Sequence, residues 1–329
     1  MRKNMLAGAA LLGAMALVFT GCAGDTNTPG DGGEPGAGGD VIKVGFAQTG
    51  SESGWRSANT ESMKAAFSTE NGFDLIFNAA DNKQEAQIAA VRSFINQGVD
   101  AIVIAPITVD GWDDVLTEAK DAGIPVILED RTVSASEDLY ASWVGLDFEQ
   151  EGRTAGEWVK ESFDGKGANL VVLEGTTGSS AALDRATGFA DAITGTDINV
   201  LDSQTGDFTR DGGKKVMEGY LQKYADDIDV LFAHNDDMGL GALDAIKAAG
   251  LTPGTDIQIV TIDAVKDGMT ALANGEFNFI VECNPLLGEK AADLVKAVVA
   301  GETVEKKTIV PDQSFTQEQA KEVLDSRPY

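Results

Sequence analysis

From Val41 onward the chain alternates two patterns: short runs of apolar, β-rich residues, and longer stretches in which apolar positions recur every three or four residues. The first pattern suits a strand buried on both faces, and the second is the apolar stripe of a helix lying on a sheet. Strands are expected over 43–48, 75–79, 101–105, 126–129, 140–144, 169–174, 198–202, 230–233, 258–263 and 277–283. Helices are expected over 58–70, 84–96, 150–160, 182–193, 211–223, 238–249 and 287–300. Gly98-Val99-Asp100 and Gly123-Ile124-Pro125 fit as turns where a glycine stops a helix and a strand follows. This alternation predicts an α/β fold of parallel sheets covered by helices. So many strands exceed one comfortable sheet, so two doubly wound lobes are expected. In such lobes ligands sit beyond the carboxyl ends of the strands.

The first 22 residues break the pattern. Arg2 and Lys3 precede an uncharged apolar stretch from Met5 to Phe19, and Thr20-Gly21-Cys22 follows. The stretch is shorter than the roughly 20 residues of a membrane span, and its layout is that of a signal segment. Small residues directly before Cys22 resemble a bacterial lipoprotein cleavage site, with Cys22 as the lipidated N-terminus, although Phe19 stands where leucine is usual. The other reading is an ordinary secretory peptide with Cys22 a bystander. Residues 23–39 hold no large apolar side chain and much Gly, Pro and Asp, a composition for a flexible tether. The expectation is a folded body tethered to the outer face of the cytoplasmic membrane, touching the membrane only through the lipid. The long tether favours a Gram-positive surface over a periplasm.

Composition narrows the chemistry. With 53 acidic against 25 basic side chains the net charge is −28, which repels phosphate backbones and argues against a nucleic-acid partner. Removal of Arg2 and Lys3 with the signal makes the mature chain more acidic still. One histidine and two cysteines cannot build a Cys/His zinc site, and a lipidated Cys22 leaves Cys283 without a disulfide partner. His234 has no Ser/His/Asp order or G-x-S-x-G elbow around it, so a structural flank to Asn235 is its expected role. GTTGSS (175–180) lacks a following lysine and Gly239-Leu240-Gly241 lacks a third glycine, so neither supports a nucleotide site. No metal, no cofactor and no enzymatic activity are expected.

The strand ends are polar, and they carry a resemblance. GFAQTGSESGWR (45–56), IAPITVDGW (104–112), Asp130-Arg131, SQTGDFTRDGGKKVME (203–218), AHNDDMGLGA (233–242), Ile262-Asp263 and VECNP (281–285) occur in order and at suitable spacing. Together they resemble the type I periplasmic sugar-binding proteins that serve ABC transporters, most nearly the galactofuranose-binding subgroup. The match covers essentially everything from residue 41 to the end. It implies two similar lobes joined by three crossover strands, the first from 41–145 plus 264–302 and the second from 146–263 plus 303–329. It also implies a monomer that captures a monosaccharide by hinge closure and delivers it to an ABC permease. An extracellular sugar receptor that signals to a membrane partner is the alternative, as are arabinose, ribose or galactopyranose as ligand.

Monosaccharides present hydroxyl pairs at the rim and C–H patches on the faces, so fork-like polar side chains and aromatic platforms suit them. By resemblance Asp130 accepts from hydroxyls and Arg131 donates to an adjacent pair, against the plainer reading of a surface ion pair. Arg185 and Asn235 are the implied second-lobe donors, and Asp263 a further acceptor. Glu282 stands after the last strand assigned to the first lobe, where relatives place a glutamine or similar residue. Aromatics are only 7% of the chain, so Trp55, between Gly54 and Arg56 in a polar loop, and Phe208 count as platforms, one per lobe. Core packing is the bland alternative for both. Arg56 falls where ribose binders tend to have an aromatic, and Ala105 where they carry an asparagine, which argues against a ribose site. Ser53 and Glu52 are further contacts. Asp237 is either a contact or a charge placed at a helix N-terminus. Trp112 and Trp158 read as structural, and Trp143 stays open.

Overall fold

The computed structural model describes residues 41–224 and 227–329; the signal segment with Cys22 and the 23–39 tether lie outside the described residues. The first half of the body runs β1 (Ile42–Gln48), α1 (Gly54–Ala66), β2 (Phe73–Ala79), α2 (Gln84–Asn96), β3 (Ala101–Ile104), α3 (Asp113–Asp121), β4 (Val126–Asp130) and β5 (Ser142–Gly145). The second runs α4 (Phe148–Ser162), β6 (Ala168–Glu174), α5 (Ser180–Ile193), β7 (Ile198–Thr205), α6 (Arg210–Tyr224), β8 (Val230–Ala233), α7 (Asp236–Ala248), β9 (Gln258–Asp263), α8 (Lys266–Ala273) and β10 (Phe279–Glu282). The chain closes with α9 (Gly288–Val299), β11 (Lys307–Ile309), β12 (Ser314–Phe315) and α10 (Gln317–Val323).

These strands form two six-stranded sheets, ordered β11-β5-β4-β3-β1-β2 and β12-β10-β9-β8-β6-β7. All pairings are parallel except β10 with β12. Both are doubly wound, with the order reversing between β1 and β3 in one and between β6 and β8 in the other, which opens a crevice at the carboxyl ends. The central strands β3, β4, β8 and β10 are buried along their whole length, as their continuous apolar runs require.

Sheet pairing corrects the expected lobe limits. Strand β10 hydrogen-bonds to β9, so residues 264–282 belong to the second lobe rather than the first. Helix α9 returns to the first lobe, where Gly288 N donates to Ser62 Oγ of α1 at 3.1 Å. Strand β11 pairs with β5 and therefore adds to the first sheet, although 303–329 was expected wholly in the second. The chain thus crosses between lobes three times, at 146–147, 283–287 and 310–313.

A second correction concerns 51–56, expected as a loop before a helix beginning at residue 58. Ser53 caps the helix, its Oγ accepting from Arg56 N at 3.1 Å, so α1 already starts at Gly54 and carries Trp55 and Arg56 on its first turn. Helices α4 and α5 cross closely because Gly152 and Gly188 present no side chain there; a Cβ on Gly152 would collide with the Arg185 carbonyl. That crossing sets where Arg185 stands. Gly152→Ala is expected to lower stability by ~1–3 kcal/mol through overpacking, read as an earlier urea-unfolding midpoint; an unchanged midpoint would mean the helices part freely.

Candidate ligand-binding site

The carboxyl ends of both sheets meet around a narrow cleft. Ser53, Trp55, Arg56, Asp130, Arg131, Arg185, Phe208, Asn235, Asp263 and Glu52 line it together. Two residues singled out from the sequence do not. Glu282 turns to the C-terminus, where Arg327 Nη1 donates to its Oε1 at 2.6 Å and the Tyr329 hydroxyl at 2.8 Å. Asp237 stands at the N-terminal turn of α7 and bridges the lobes instead, its Oδ2 accepting from Gly54 N at 2.7 Å. Three lining residues were not singled out for the site: Phe148, Ala181 and Cys283. Phe148 and Cys283 flank the crossovers, and only tertiary packing turns them toward the cleft.

Each lobe contributes the same device. In the first, Arg56 on α1 donates from Nη2 to Asp130 Oδ2 at 2.7 Å, and Asp130 ends β4. In the second, Arg185 on α5 reaches Asp263 Oδ1 with Nη2 at 3.9 Å, and Asp263 ends β9. Both aspartates have left-handed backbone, φ 61° and 128°, and so does Phe208 at 60°. Non-glycine residues adopt such angles at a cost, and only where surrounding structure holds them. One such hold is the Trp143 indole, whose Nε1 donates to the Asp130 carbonyl at 3.1 Å, which gives this tryptophan a structural role.

The aromatic groups are walls that also carry the cations. Trp55 is buried, its Nε1 donating to Cys283 O at 2.6 Å, while the Arg56 guanidinium lies 4.6 Å from its ring centroid. Phe208 lies beneath Arg131 at 5.2 Å and Arg185 at 5.9 Å. Its ring rests on Gly175, where any Cβ would collide with it. Asn235 is mostly committed to the protein: Oδ1 accepts from Met238 N at 3.0 Å to cap α7, and Nδ2 donates to Phe208 O at 3.1 Å.

The three cleft arginines differ in how far they are neutralised. Burial disfavours charge on Arg56, but Asp130, Glu52 and Glu129 outweigh it and raise its proton affinity. Arg185 is raised for the same reason, mainly by Glu151, whose Oε2 accepts from Nε at 2.7 Å. Arg131 goes the other way: burial and the neighbouring Arg56 pull it down to about 10. Its Nη1 donates to Ile107 O at 3.3 Å, Glu52 lies 3.7 Å away, and its Nε has no hydrogen-bond partner, with Asp130 Oδ2 3.8 Å off. Burial alone would raise Glu52, but Arg56 and Arg131 hold it below its ordinary value. Across the cleft, burial raises Asp263 well above the carboxylate range despite Arg185, and its Oδ2 has no partner. One polar atom from each lobe, each on a residue that lines the cleft, is therefore left without a hydrogen-bond partner.

The one histidine does not line the cleft. His234 is buried, accepts weakly from Gly175 N at 3.4 Å, and is pushed down to about 3 by burial and by Arg185. Among the described residues no group of three or more His, Cys, Asp or Glu side chains is placed to hold a metal ion. The lobes also touch directly at the mouth. Besides Gly54 with Asp237, Val109 N donates to Gly178 O at 2.9 Å and Thr132 N to Ser180 Oγ at 3.0 Å.

Residues 44–303 match the model of the periplasmic binding protein domain family. The galactofuranose-binding protein YtfQ of Escherichia coli is 45% identical over 291 residues, covering 87% of this chain and 91% of that protein. Among solved structures, one from Mycobacterium smegmatis in complex with β-D-fucofuranose superposes with a TM-score of 0.85 at 55% identity, covering 88% of this chain and 95% of the other. The binding-protein component of the arabinose ABC transporter of Shewanella sp. ANA-3, bound to α- and β-L-arabinofuranose, gives a TM-score of 0.84 at 44% identity, covering 87% and 96%.

Beneath the cleft, Glu129 accepts from Asn59 Nδ2 at 2.5 Å, and burial with the adjacent Asp130 pushes its carboxyl up to about 8. A carboxyl raised in the folded state keeps its proton there while the unfolded chain has already lost it, so folding weakens as pH rises. The window runs from the ordinary value of 4.5 to about 8. Glu129→Gln keeps the acceptor and removes the titration. Its urea-unfolding stability is expected to decline less between pH 5 and 8 than that of the unaltered protein; parallel declines would refute this.

Proposed function

Because this chain belongs to the periplasmic binding protein family, with close relatives among furanose binders, we propose that it is an extracytoplasmic receptor for a furanose sugar, galactofuranose first, serving an ABC permease. The observation that carries the reading is the pair of unpartnered buried atoms, Arg131 Nε from the first lobe and Asp263 Oδ2 from the second. An unpaired buried polar group is costly. A sugar hydroxyl, which accepts and donates at once, relieves both if it sits between them. Apolar faces of the sugar then lie against Phe208, Phe148 and Trp55.

Capture proceeds by hinge closure: a ligand that contacts both lobes binds the closed form better and shifts the population toward it. The permease then reads the closed shape. Specificity comes from the fixed forks, since an analogue lacking the matching hydroxyl leaves a buried group unpaired. The polar loop-and-helix surface of each lobe takes no chemical step, and the transported sugar leaves unchanged.

Arg131→Ala is expected to weaken binding by ~100-fold or more, the scale of hydrogen bonds to a charged group, with the circular dichroism of the fold unchanged. Calorimetry with galactofuranose, arabinofuranose and fucofuranose checks it; unaltered affinity would remove Arg131 from the site. The N-terminal segment supports a lipid anchor through Cys22. Cys22→Ser should move the full-length protein from the membrane fraction to the soluble one, and continued membrane retention would count against lipidation.

A further inference from the structure

Two crossovers and the first turn of α4 meet at one carboxyl. Asp312 lies in the 310–313 crossover, and its Oδ1 accepts from Asn284 N of the 283–287 crossover at 3.0 Å. Its side chain also meets the carboxyl of Glu151, on the first turn of α4 just after the 146–147 crossover. Glu151 does not line the sugar cleft, yet it grips Arg185, which does: Oε2 accepts from Arg185 Nε at 2.7 Å. The other oxygen, Oε1, is buried without a hydrogen-bond donor. Glu151 and Asp312 both border a second cavity, of about 380 Å³, at the hinge.

Two carboxyls in contact, Glu151 buried and Asp312 half-buried, do not readily both ionise. A proton held between them also supplies the donor that Glu151 Oε1 lacks. We propose that Glu151 and Asp312 share one proton at the hinge, and that this pair is a positioning element that keeps Arg185 aligned toward the ligand. The proposal rests on the sugar-receptor reading for its effect on affinity, but not for the proton itself.

The charged surroundings favour such a pair. Burial first, then Glu151, pushes Asp312 up to about 9, with Glu282 of β10 adding to the rise and the Asn284 amide opposing it. Burial raises Glu151 against the pull of Arg185 and of a hydrogen bond with the Cys283 thiol, and Asp130 adds to the rise. Asp263 faces it across Arg185, and Asp147 shares the hinge cavity. Glu282 is itself held by Arg327. Loss of the shared proton puts two negative charges in contact, drives Glu151 away from Asp312 and disturbs its grip on Arg185.

Asp312→Asn mimics the protonated form, because its amide oxygen still accepts from Asn284 N and its Nδ2 donates to Glu151 permanently. Infrared spectra of the whole protein at pH 7 should show a protonated-carboxyl band that weakens in Asp312→Asn. Affinity for the tightest-binding furanose should fall about fourfold between pH 7 and 9.5 in the unaltered protein, and less than twofold in the variant. A band of equal intensity in both proteins, or parallel affinity profiles, would overturn the proposal. Should Asp312→Asn fold poorly, Glu151→Gln removes the same shared proton and must lose the same band. If no furanose binds at all, the receptor reading fails, and the infrared comparison still decides whether the proton is shared.

Discussion

Three guanidinium groups, each at most 3% exposed, meet in one small cleft, and the rest of the molecule is arranged to make that burial tolerable. Removing such an ion from water costs several kcal/mol even after relaxation. Arg56 and Arg185 are compensated by carboxylates set at hydrogen-bonding distance on neighbouring elements. Arg131 is compensated least, and that shortfall makes it the natural place for a ligand to contribute. The cost also explains the close α4–α5 crossing and the strained strand ends, since each brings a counter-charge or a hydrogen-bond partner to where a guanidinium has to be.

The two lobes solve this problem in the same way. Each takes an arginine from the helix after its first strand and an aspartate from the end of its fourth, at corresponding places in two sheets of identical strand order. The lobes differ in the grip. Arg56 meets its aspartate directly, whereas Arg185 leans on Glu151 and leaves Asp263 free to face the cleft. One lobe is therefore nearly self-sufficient and the other is tied to the hinge, so the site and the crossovers cannot move independently.

Most of this was legible in the sequence, and the failures are physical ones. Every strand expected from the apolar runs is present, including the largely exposed β2 and β7. The short edge strands β11 and β12 went unseen: three and two residues carry no periodicity. The early start of α1 had a signal in Ser53, a good N-cap, but Ser51, Ser53 and Gly54 together read as loop. Glu282 looked available because the arginine that takes it lies 45 residues further along the chain. The lobe given to β10 depended on a crossover whose path no local pattern encodes. Ten of the twelve candidate ligand contacts drawn from the strand ends and the family resemblance gather in one cleft.

The contacts at the cleft mouth have an evolutionary consequence. In all three, the first lobe offers only main-chain N–H groups, from Gly54, Val109 and Thr132. Main-chain donors survive almost any replacement of the side chain beside them. The first lobe's half of the seal is thus indifferent to residue identity, while the neighbouring Glu52, Arg56 and Arg131 face the cleft. Side chains around the cleft can therefore change while these main-chain contacts between the lobes persist.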